Sequence, residues 1–330
     1  MIPNSNTHQQ TQVRFCRQPW AGGVLMWALL AVAPVMIASG CSSGPAATES
    51  APQSVEVPSE PQVILVTGST SGLGRGVALE LASTGAHIIV HGRNRERGME
   101  VVNQIEQEGI GSAKFYAADL ASFDQVREFA ETILQDYEKL DVLINNAGIH
   151  LAPEDGRLLS AEGHELTFAV NYLSGFLLTR MLLPRIIESA PSRIVNVSSR
   201  GQRNAVIDFD DVMLERNYND SQAYRQSKLA QVMFTFDLAR ELEGTGVIVS
   251  AVHPASMMPT PLVLSRFGES RMTVEEGVEA VVNQVNLPGL ESGQYFDRLT
   301  PERANDQAYD EQAREILRTL SQELTGIGSN

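Results

Sequence analysis

The body of the chain alternates short apolar runs with amphipathic stretches. Val63–Val66 is a continuous run of branched apolar residues, typical of a strand buried on both faces. Comparable runs recur at 86–91, 113–117, 141–145, 193–198 and 247–252. Patterns with helical spacing lie between them, at 73–83, 95–108, 123–137, 162–187 and 224–243. Beyond residue 252 the pattern predicts a loop, a helix over 274–285, a short strand over 293–296 and a final helix over 307–320.

This alternation predicts an α/β protein with a parallel sheet. Because the crossover helices would cover both faces of the sheet, we expect a Rossmann-type doubly wound fold in three layers, α/β/α. Residues 62–330 would form this single domain, and no internal repeat of fixed period is visible in them.

The first 61 residues follow a different pattern. No charged residue lies between Arg17 and Glu49, and residues 20–38 are almost wholly apolar. Basic residues, an apolar run and small residues before Cys41 are typical of an export signal. The end of the run resembles the lipobox of bacterial lipoproteins, although Ala38 stands where leucine is usual. The sequence therefore predicts a signal peptide or membrane anchor over 1–41 and a flexible, Pro- and Ser-rich tether over 42–61.

Three interpretations of the N-terminal segment stay open. Cys41 is lipidated after cleavage, or the segment is an uncleaved anchor, or the start codon is misassigned. About 20 apolar residues suffice to span a bilayer. The first two interpretations leave the basic flank inside and carry the rest of the chain outside, which predicts a membrane-associated lipoprotein of a bacterial cell envelope.

Composition argues against several classes of function. The chain has 25 basic and 40 acidic residues and a net charge of −15, so nucleic acid is not an expected partner. Both cysteines, Cys16 and Cys41, precede the body, which therefore lacks a disulfide, a cysteine metal site and a cysteine nucleophile. His87 and His91 are about 13 Å apart on a predicted strand, too far to share a zinc ion, and we expect no metal. Residues 62–330 contain no Gly-x-Ser-x-Gly hydrolase turn.

The first predicted strand ends in a glycine-rich turn that leads directly into a helix. Gly68 permits a tight turn, Gly72 lets a pyrophosphate approach the backbone, and Gly74 allows the helix to pack closely on the strand. The N-terminus of that helix would present free N–H groups to an anion. Because the glycines lie between a predicted strand and a predicted helix, they indicate a dinucleotide cofactor rather than a turn alone.

The end of the second strand bears on which dinucleotide is bound. An NAD site usually has Asp or Glu there, whereas this chain has His91-Gly92-Arg93-Asn94 and no carboxylate before Glu96. Arg93 is the candidate for holding a 2′-phosphate, so NADP is the predicted cofactor and NAD the alternative. The other interpretation of Arg93 is a solvated arginine at a helix start.

Three further motifs follow in order. Residues 145–148 end the fourth predicted strand, serines 198 and 199 end the fifth, and residues 224–228 open the next helix. With the glycine turn they resemble the short-chain dehydrogenase/reductase family, from residue 62 nearly to the C-terminus. The glycine spacing is similar to the single-domain subgroup, and the long interval before Tyr224 is similar to the retinol-dehydrogenase-like branch. Ser71, where many NADP-using relatives have a basic residue, and Ala255, where glycine is usual, depart from the pattern.

The resemblance implies roles for individual residues. The catalytic set would be Asn171, Ser199, Tyr224 and Lys228, with Lys228 also holding the nicotinamide ribose and Asn171 positioning a proton-relay water. Asp119 would contact the adenine. The implied cofactor-binding residues are Gly68, Ser71, Gly72, Leu73, Gly74, Arg93, Asp119, Leu120, Asn145, Ala147, Gly148, Tyr224, Lys228 and Pro254.

The spacing of two of these residues indicates their chemistry. Tyr224 and Lys228 are four residues apart on a predicted helix and therefore share a face. Tyrosine titrates near pH ~10, and the lysine ammonium, with the charge of an oxidised nicotinamide, is expected to lower that pKa. Tyr224 would then be the general acid or base, and Ser199 would stabilise charge on the substrate oxygen. We therefore expect an NADP-dependent oxidoreductase that interconverts an alcohol and a ketone or aldehyde by hydride transfer.

The segment after His253 and Pro254 bears on the substrate. Met257, Met258 and the apolar residues up to Phe267 suggest an adaptable apolar wall. A loop packed on the core is an equal alternative, and His253 is expected to be structural. The expected substrate is a small apolar alcohol or carbonyl compound.

A second function class stays open, namely a non-catalytic NADP-binding sensor or scaffold on the same fold. The presence of all four catalytic residues argues against it. Family analogy suggests a homo-oligomer. An exported enzyme would meet little dissociable NADP(H), so the cytoplasmic face of the membrane remains an alternative location.

Overall fold

The structure, a computed structural model, describes residues 60–328. The predicted signal peptide or anchor over 1–41, with Cys41, and the predicted tether up to residue 59 lie outside the described residues. Within 60–328, eight strands form one sheet in the order β3-β2-β1-β4-β5-β6-β7-β8. Its neighbouring strands are parallel except for β7 and β8. The strands are β1 (Val63–Val66), β2 (His87–Gly92), β3 (Ser112–Ala117), β4 (Val142–Asn145), β5 (Ser192–Val197), β6 (Val247–His253), β7 (Gln294–Asp297) and β8 (Thr300–Pro301).

Helices cover both faces of the sheet, and each face has its own apolar cluster. Leu65 of β1 belongs to one cluster, and its neighbours Ile64 and Val66 belong to the other. Successive side chains of a strand point to opposite faces, so a strand covered on both faces is apolar at every position. The predicted three-layer, doubly wound single domain is confirmed. The helices are α1 (Gly72–Ser83), α2 (Arg95–Glu108), α3 (Phe123–Asp136), α4 (Leu166–Phe168), α5 (Ser174–Glu188), α6 (Asp220–Glu241), α7 (Pro261–Phe267), α8 (Val274–Asn286) and α9 (Glu311–Thr325).

The helix predicted over 162–187 begins later and is interrupted. The carboxylate of Glu165 accepts hydrogen bonds from the N–H groups of Thr167 and Phe168, and this cap starts α4 at Leu166. A π-helical stretch, Ala169–Leu173, separates α4 from α5. Such π-helical turns are frequent at functional sites, and this one contains Asn171.

Two boundaries near the crevice also differ from the prediction. Helix α6 begins at Asp220 instead of Tyr224, because the side chain of Asn219 accepts a hydrogen bond from a backbone N–H of the first turn. The predicted loop after residue 252 contains the short helix α7, in which Pro261 occupies the first turn. Both differences extend helical structure around the candidate site.

The C-terminal helix starts four residues later than predicted, since Asp310 caps its first turn at Glu311. Within residues 60–328, the stretch Leu166–Glu188 is long and apolar enough to cross a membrane. However, 72% of its most apolar window is buried inside the fold, which is typical of the core helix of a globular domain.

The strand order reverses between β1 and β4, and the crevice at the carboxyl ends of these strands is where doubly wound folds bind ligands. The glycine turn leaves β1 at this point, and residues 145–148 leave β4 beside it. The topology therefore brings the two motifs to one place.

Candidate active site

The turn after β1 has a conformation that requires glycine. Gly68 and Gly72 have φ values of +65° and +54°, which L-residues with side chains rarely adopt. A Cβ atom at Gly68 would lie 2.9 Å from Cα of Ala147, and one at Gly74 would lie 2.4 Å from the carbonyl oxygen of Gly68. Backbone therefore lies close to backbone in the turn, and the missing side chains at Gly72 and Gly74 leave the N-terminus of α1 unobstructed for a ligand.

Three side chains that sequence reasoning did not select hold this turn. Asn146 Nδ2 donates to the carbonyl of Thr67 at 2.8 Å, and Thr67 Oγ1 accepts from the N–H groups of Asn146 and Ala147, each at 3.0 Å. His91 Nδ1 accepts from the N–H of Gly68 at 3.1 Å. Burial lowers the pKa of His91 to about 4, so its ring is neutral and able to accept. The signal for Asn146 was its place in the 145–148 motif.

Arg93 and Asp119 lie together beyond the carboxyl ends of β2 and β3. Their charged groups are 3.8 Å apart, and 69% of the Arg93 side chain is exposed. A Cβ atom at Gly92 would lie 2.6 Å from the methyl group of Thr70, so the glycine turn and the end of β2 touch. Arg93 is therefore an accessible cation next to the turn, as a 2′-phosphate would need.

Other predicted cofactor residues have side chains that point into the core. Leu73 and Leu120 are buried in the two apolar clusters. Asn145 Nδ2 donates to Thr179 Oγ1 and to Asn196 Oδ1, each at 2.9 Å. These side chains stabilise the scaffold. Ser71 occupies the N-cap position of α1 at the turn itself.

The predicted catalytic residues converge at the carboxyl ends of β4 and β5. Ser199 and Tyr224 lie side by side, since a Cβ atom at Gly201 would lie 3.5 Å from Ser199 Oγ and 3.9 Å from Cε1 of the Tyr224 ring. Lys228 Nζ donates to the carbonyl of Val197 at 2.9 Å and to Gln231 Oε1 at 3.0 Å, and it lies 5.8 Å from the Tyr224 ring centroid. The helical spacing of Tyr224 and Lys228 thus places both side chains on one face of α6, at the end of β5.

The expected lowering of the Tyr224 pKa is wrong for the protein alone. Burial raises the pKa of Tyr224, and the neighbouring hydroxyl of Ser199 opposes this only in part. Lys228 is itself buried, and burial lowers its pKa to about 7. Lys228 is therefore only partly charged at neutral pH, which weakens the electrostatic effect that the spacing suggested.

Asn171 joins the two motifs that flank the crevice. Its Oδ1 accepts from the N–H of Ile149 at 2.7 Å, and its Nδ2 donates to the carbonyl of Ile149 at 2.9 Å and to Ser227 Oγ at 3.0 Å. A Cβ atom at Gly148 would lie 3.3 Å from Asn171 Oδ1 and 3.5 Å from Lys228 Nζ. A larger residue at 148 would therefore crowd both side chains.

An ionic cluster supports the far wall of the crevice. Arg200, directly after Ser199, donates to both carboxylate oxygens of buried Asp297 at 2.8 Å. Asp297 pairs with His253 in the β6–β7 register, and Pro254 follows His253. His253 Nε2 is 3.0 Å from Ser256 Oγ, and burial lowers its pKa, in agreement with a structural role. Sequence reasoning missed Asp297, which lies nearly 100 residues from Arg200 in the chain.

The predicted apolar wall divides between core and crevice. Met258 is buried against Leu73 and Gly277 in the core. On α7, by contrast, Leu264 is 45% exposed and Phe267 is 49% exposed. The packed-loop interpretation therefore applies to Met258, and the apolar-wall interpretation stays open for α7.

His150 lies directly over the ring of Tyr224. The rings of His150 and Tyr224 are stacked, with centroids 4.3 Å apart and planes at 11°. Phe267 approaches the other side of His150 edge-on at 6.0 Å. Sequence reasoning did not select His150, because a lone histidine after the 145–148 motif has no distinctive spacing. Among residues 60–328, no group of His, Asp or Glu side chains is arranged to hold a metal ion.

Comparisons with known proteins agree with this geometry. The family model for short chain dehydrogenase matches residues 62–269. Human retinol dehydrogenase 14 is 37% identical over 81% of this chain and 87% of its own length.

Solved structures agree as well. A crystal structure of an uncharacterised protein from Mycobacterium paratuberculosis covers 80% of this chain and 93% of its own, with a TM-score of 0.67 and 29% identity. A metagenomic short-chain oxidoreductase in complex with NADP covers 59% of this chain and 82% of its own, with a TM-score of 0.50 and 32% identity. The chain belongs to the short-chain dehydrogenase/reductase family, in its retinol-dehydrogenase-like branch, and is an oxidoreductase.

Proposed function

We propose that this short-chain dehydrogenase/reductase uses NADP to interconvert an alcohol and a ketone or aldehyde, and that the substrate is largely apolar. The convergence of Tyr224, Ser199, Lys228 and Asn171 in one crevice is the observation that carries the proposal. When bound, the cofactor supplies or accepts a hydride. The protein residues bind and orient both ligands and move the proton.

Tyr224 is the general acid and base. In carbonyl reduction its phenol donates a proton to the substrate oxygen, and in alcohol oxidation it takes the hydroxyl proton back. Because burial raises the pKa of Tyr224, the phenol is protonated at neutral pH, which supports the donor role. Ser199, which lies beside Tyr224, stabilises charge on the same oxygen.

Lys228 and Asn171 hold the groups around Tyr224. Two of the three N–H donors of a charged Lys228 are used by Val197 and Gln231, and the third would hold the nicotinamide ribose. Asn171, in the π-helical stretch, positions a water that relays the proton from Lys228. Both roles depend on Gly148, whose missing side chain leaves room between Asn171 and Lys228.

The residues of the crevice fit a dinucleotide with a 2′-phosphate. The glycine turn offers backbone N–H groups at the start of α1, and Arg93 offers an exposed cation near Asp119. The similarity to an oxidoreductase solved with NADP supports the same cofactor. The predicted cofactor residues from Gly68 to Pro254 stay part of this proposal.

Two observations support an apolar substrate. Leu264 and Phe267 are exposed on α7, and Phe267 lies next to His150 and so to Tyr224. The name of retinol dehydrogenase 14 states an apolar alcohol as its substrate. A hydrocarbon portion of the substrate would lie along α7.

The test is a fluorescence titration of the full chain, purified in mild detergent, with NADPH and separately with NADH. We expect tight NADPH binding, weak NADH binding and turnover of an apolar ketone. A preference for NADH would leave the proposed oxidoreductase activity in place and overturn NADP as its cofactor. Binding of NADPH without turnover of any carbonyl or alcohol would favour the sensor or scaffold, and binding of neither would overturn both.

We also propose the domain organisation that the sequence predicts: a signal peptide or anchor over 1–41, a tether over 42–61 and the dehydrogenase domain over 62–330. Lipid on Cys41 would attach the protein to the cell envelope. Incorporation of labelled palmitate that Cys41→Ser abolishes would support this, and equal labelling of both proteins would contradict it. The molar mass of the purified protein, measured by light scattering, tests whether it is a homo-oligomer: a multiple of the chain mass would support this, and the mass of one chain would contradict it.

A further inference from the structure

His150, Arg266 and Asp220 form a polar cluster beside Tyr224 that the proposed catalytic mechanism does not use. The carboxylate of Asp220 accepts a hydrogen bond from Arg266, and Nε2 of His150 lies 3.7 Å from the same carboxylate. The three side chains are 7% to 12% exposed. They come from three different parts of the chain, after β4, on α6 and on α7, and His150 stacks on Tyr224.

Two nitrogen atoms of this cluster lack partners. Among residues 60–328, neither His150 Nε2 nor Arg266 Nε has a hydrogen-bond partner, although both atoms are buried. A buried polar atom without a partner is costly, and this cost is accepted most readily where a ligand supplies the missing group. The stacking of His150 on Tyr224 places this imidazole beside the proposed general acid, and Asp220 connects it to Arg266.

We propose that His150 and Arg266 form a specificity-determining subsite that binds a second, uncharged oxygen-bearing group of the substrate. The inference rests on the proposed function and narrows its substrate class to ketones or aldehydes with a further hydroxyl or carbonyl group near the reacting carbon.

The charges of the cluster favour an uncharged group. Asp220 offsets the charge of Arg266, and burial lowers the pKa of His150 to about 4, so its ring is neutral at physiological pH. The Arg266 Nε–H is a donor, and a neutral imidazole carries one N–H donor and one acceptor nitrogen. A carbonyl, hydroxyl or ester oxygen of a substrate can accept from such N–H groups without bringing a second negative charge next to Asp220.

The test compares substrates that differ only in the second oxygen. The full chain and its His150→Phe variant are assayed with NADPH on a methyl ketone and on an α-diketone and a β-hydroxy ketone of the same chain length. Phenylalanine keeps the stacked ring and removes the nitrogens. The greater intrinsic reactivity of the diketone cancels when the variant is compared with the wild type.

We expect His150→Phe to lower kcat/KM about tenfold on at least one oxygenated substrate and to leave the methyl ketone within twofold. His150→Gln, which retains an N–H donor, should restore part of the loss. Phe267→Leu, which changes the neighbouring apolar side chain, should affect all three substrates by the same factor. If His150→Phe changed kcat/KM by the same factor on all three substrates, the proposed subsite would be wrong, while the proposed oxidoreductase activity would stand.

Turnover of none of the three carbonyl compounds would instead count against the proposed function. Calorimetry of the same compounds in the presence of NADP⁺ then decides the subsite independently. Weaker binding of an oxygenated compound to His150→Phe, with equal binding of the methyl ketone, would support it. Equal binding of every compound to both proteins would overturn it.

Discussion

On the cofactor side of the crevice, glycines and backbone contacts define the surface, whereas on the substrate side long side chains do so. Around Gly68 and Gly74 a single added methyl group would meet backbone atoms at 2.4 to 2.9 Å. On α7, Phe267 is half-exposed, and buried nitrogens of His150 and Arg266 have no partner within residues 60–328. The first surface leaves no space for added side chains, and the second leaves buried polar groups without partners in this part of the chain.

The largest expected effect comes from Tyr224→Phe, at the boundary between the two sides. Loss of the phenolic proton should lower kcat about a thousandfold, while NADPH affinity stays unchanged because the glycine turn is untouched. Steady-state kinetics and NADPH fluorescence measure the two quantities. Tyr309→Phe, far along the chain and partly exposed, is the control. If Tyr224→Phe retained a tenth of the wild-type kcat, Tyr224 would not be the general acid or base.

Gly74→Ala tests whether the cofactor side tolerates change. The new Cβ would lie 2.4 Å from the Gly68 carbonyl oxygen, so the turn must shift, at a cost of about 1–3 kcal/mol. We expect NADPH affinity to fall by at least tenfold, measured by the same titration. Gly175→Ala is the matched control, since its Cβ would meet Asn145 at an ordinary 3.6 Å. Equal affinity of both variants would mean that the turn is not closely packed around its ligand.

Because Lys228 is buried, the free energy of unfolding of the cofactor-free protein should depend on pH. Burial lowers its pKa from 10.5 to about 7, so between these values the unfolded chain binds a proton that the folded protein lacks. Burying the charged lysine destabilises the fold fully below the folded-state pKa and no longer does so above the unfolded-state pKa. Between the two, the free energy of unfolding rises with pH by at most about 1.4 kcal/mol per pH unit. In the cofactor-free protein, Lys228→Met should therefore gain stability over wild type at neutral pH and lose that advantage at alkaline pH.

Urea unfolding of both proteins across that pH range measures the difference. Lys139→Met, which removes a partly exposed lysine that pairs with Asp141, is the control. A stability difference between Lys228→Met and wild type that stays constant with pH would show that folding leaves the pKa of Lys228 unchanged.

Arg93→Gln tests whether Arg93 makes the protein prefer NADPH over NADH. The exposed guanidinium should add about one charge-assisted hydrogen bond to a 2′-phosphate, so NADPH affinity should fall about tenfold and NADH affinity should not change. Arg95→Gln, two residues further on, controls for general positive charge. If both variants weaken NADPH binding alike, local charge rather than Arg93 selects the cofactor.

Phe267→Ala tests the substrate side with the smallest expected effect. Loss of part of an exposed apolar surface should raise KM for an apolar ketone about threefold and leave NADPH affinity unchanged. Ile316→Ala, on α9 and similarly exposed, is the control. An unchanged KM would place the substrate away from α7.

Much of the fold could be predicted from the chain itself. Each predicted strand is present within one or two residues, because a buried parallel strand is apolar at consecutive positions. Helix ends were less predictable, since side-chain caps such as Glu165 and Asn219 decided where α4 and α6 begin. Helix α7 was not predicted, because its apolar sequence is short and begins with a proline, a pattern that is also typical of a loop.

The sequence by itself determined the glycine turn and the Tyr224–Lys228 pair, because these features depend on short spacings within single elements. It also determined the order of Asn171, Ser199 and Tyr224 along the chain, since each follows or opens a predicted element. Only the tertiary structure decided which other side chains face them. His150 stacks on Tyr224 across 74 positions of the chain, and Asp297 reaches Arg200 across 97. It also decided that burial outweighs charge at Tyr224 and Lys228. Such contacts and desolvation depend on how distant elements pack together, which no local pattern records.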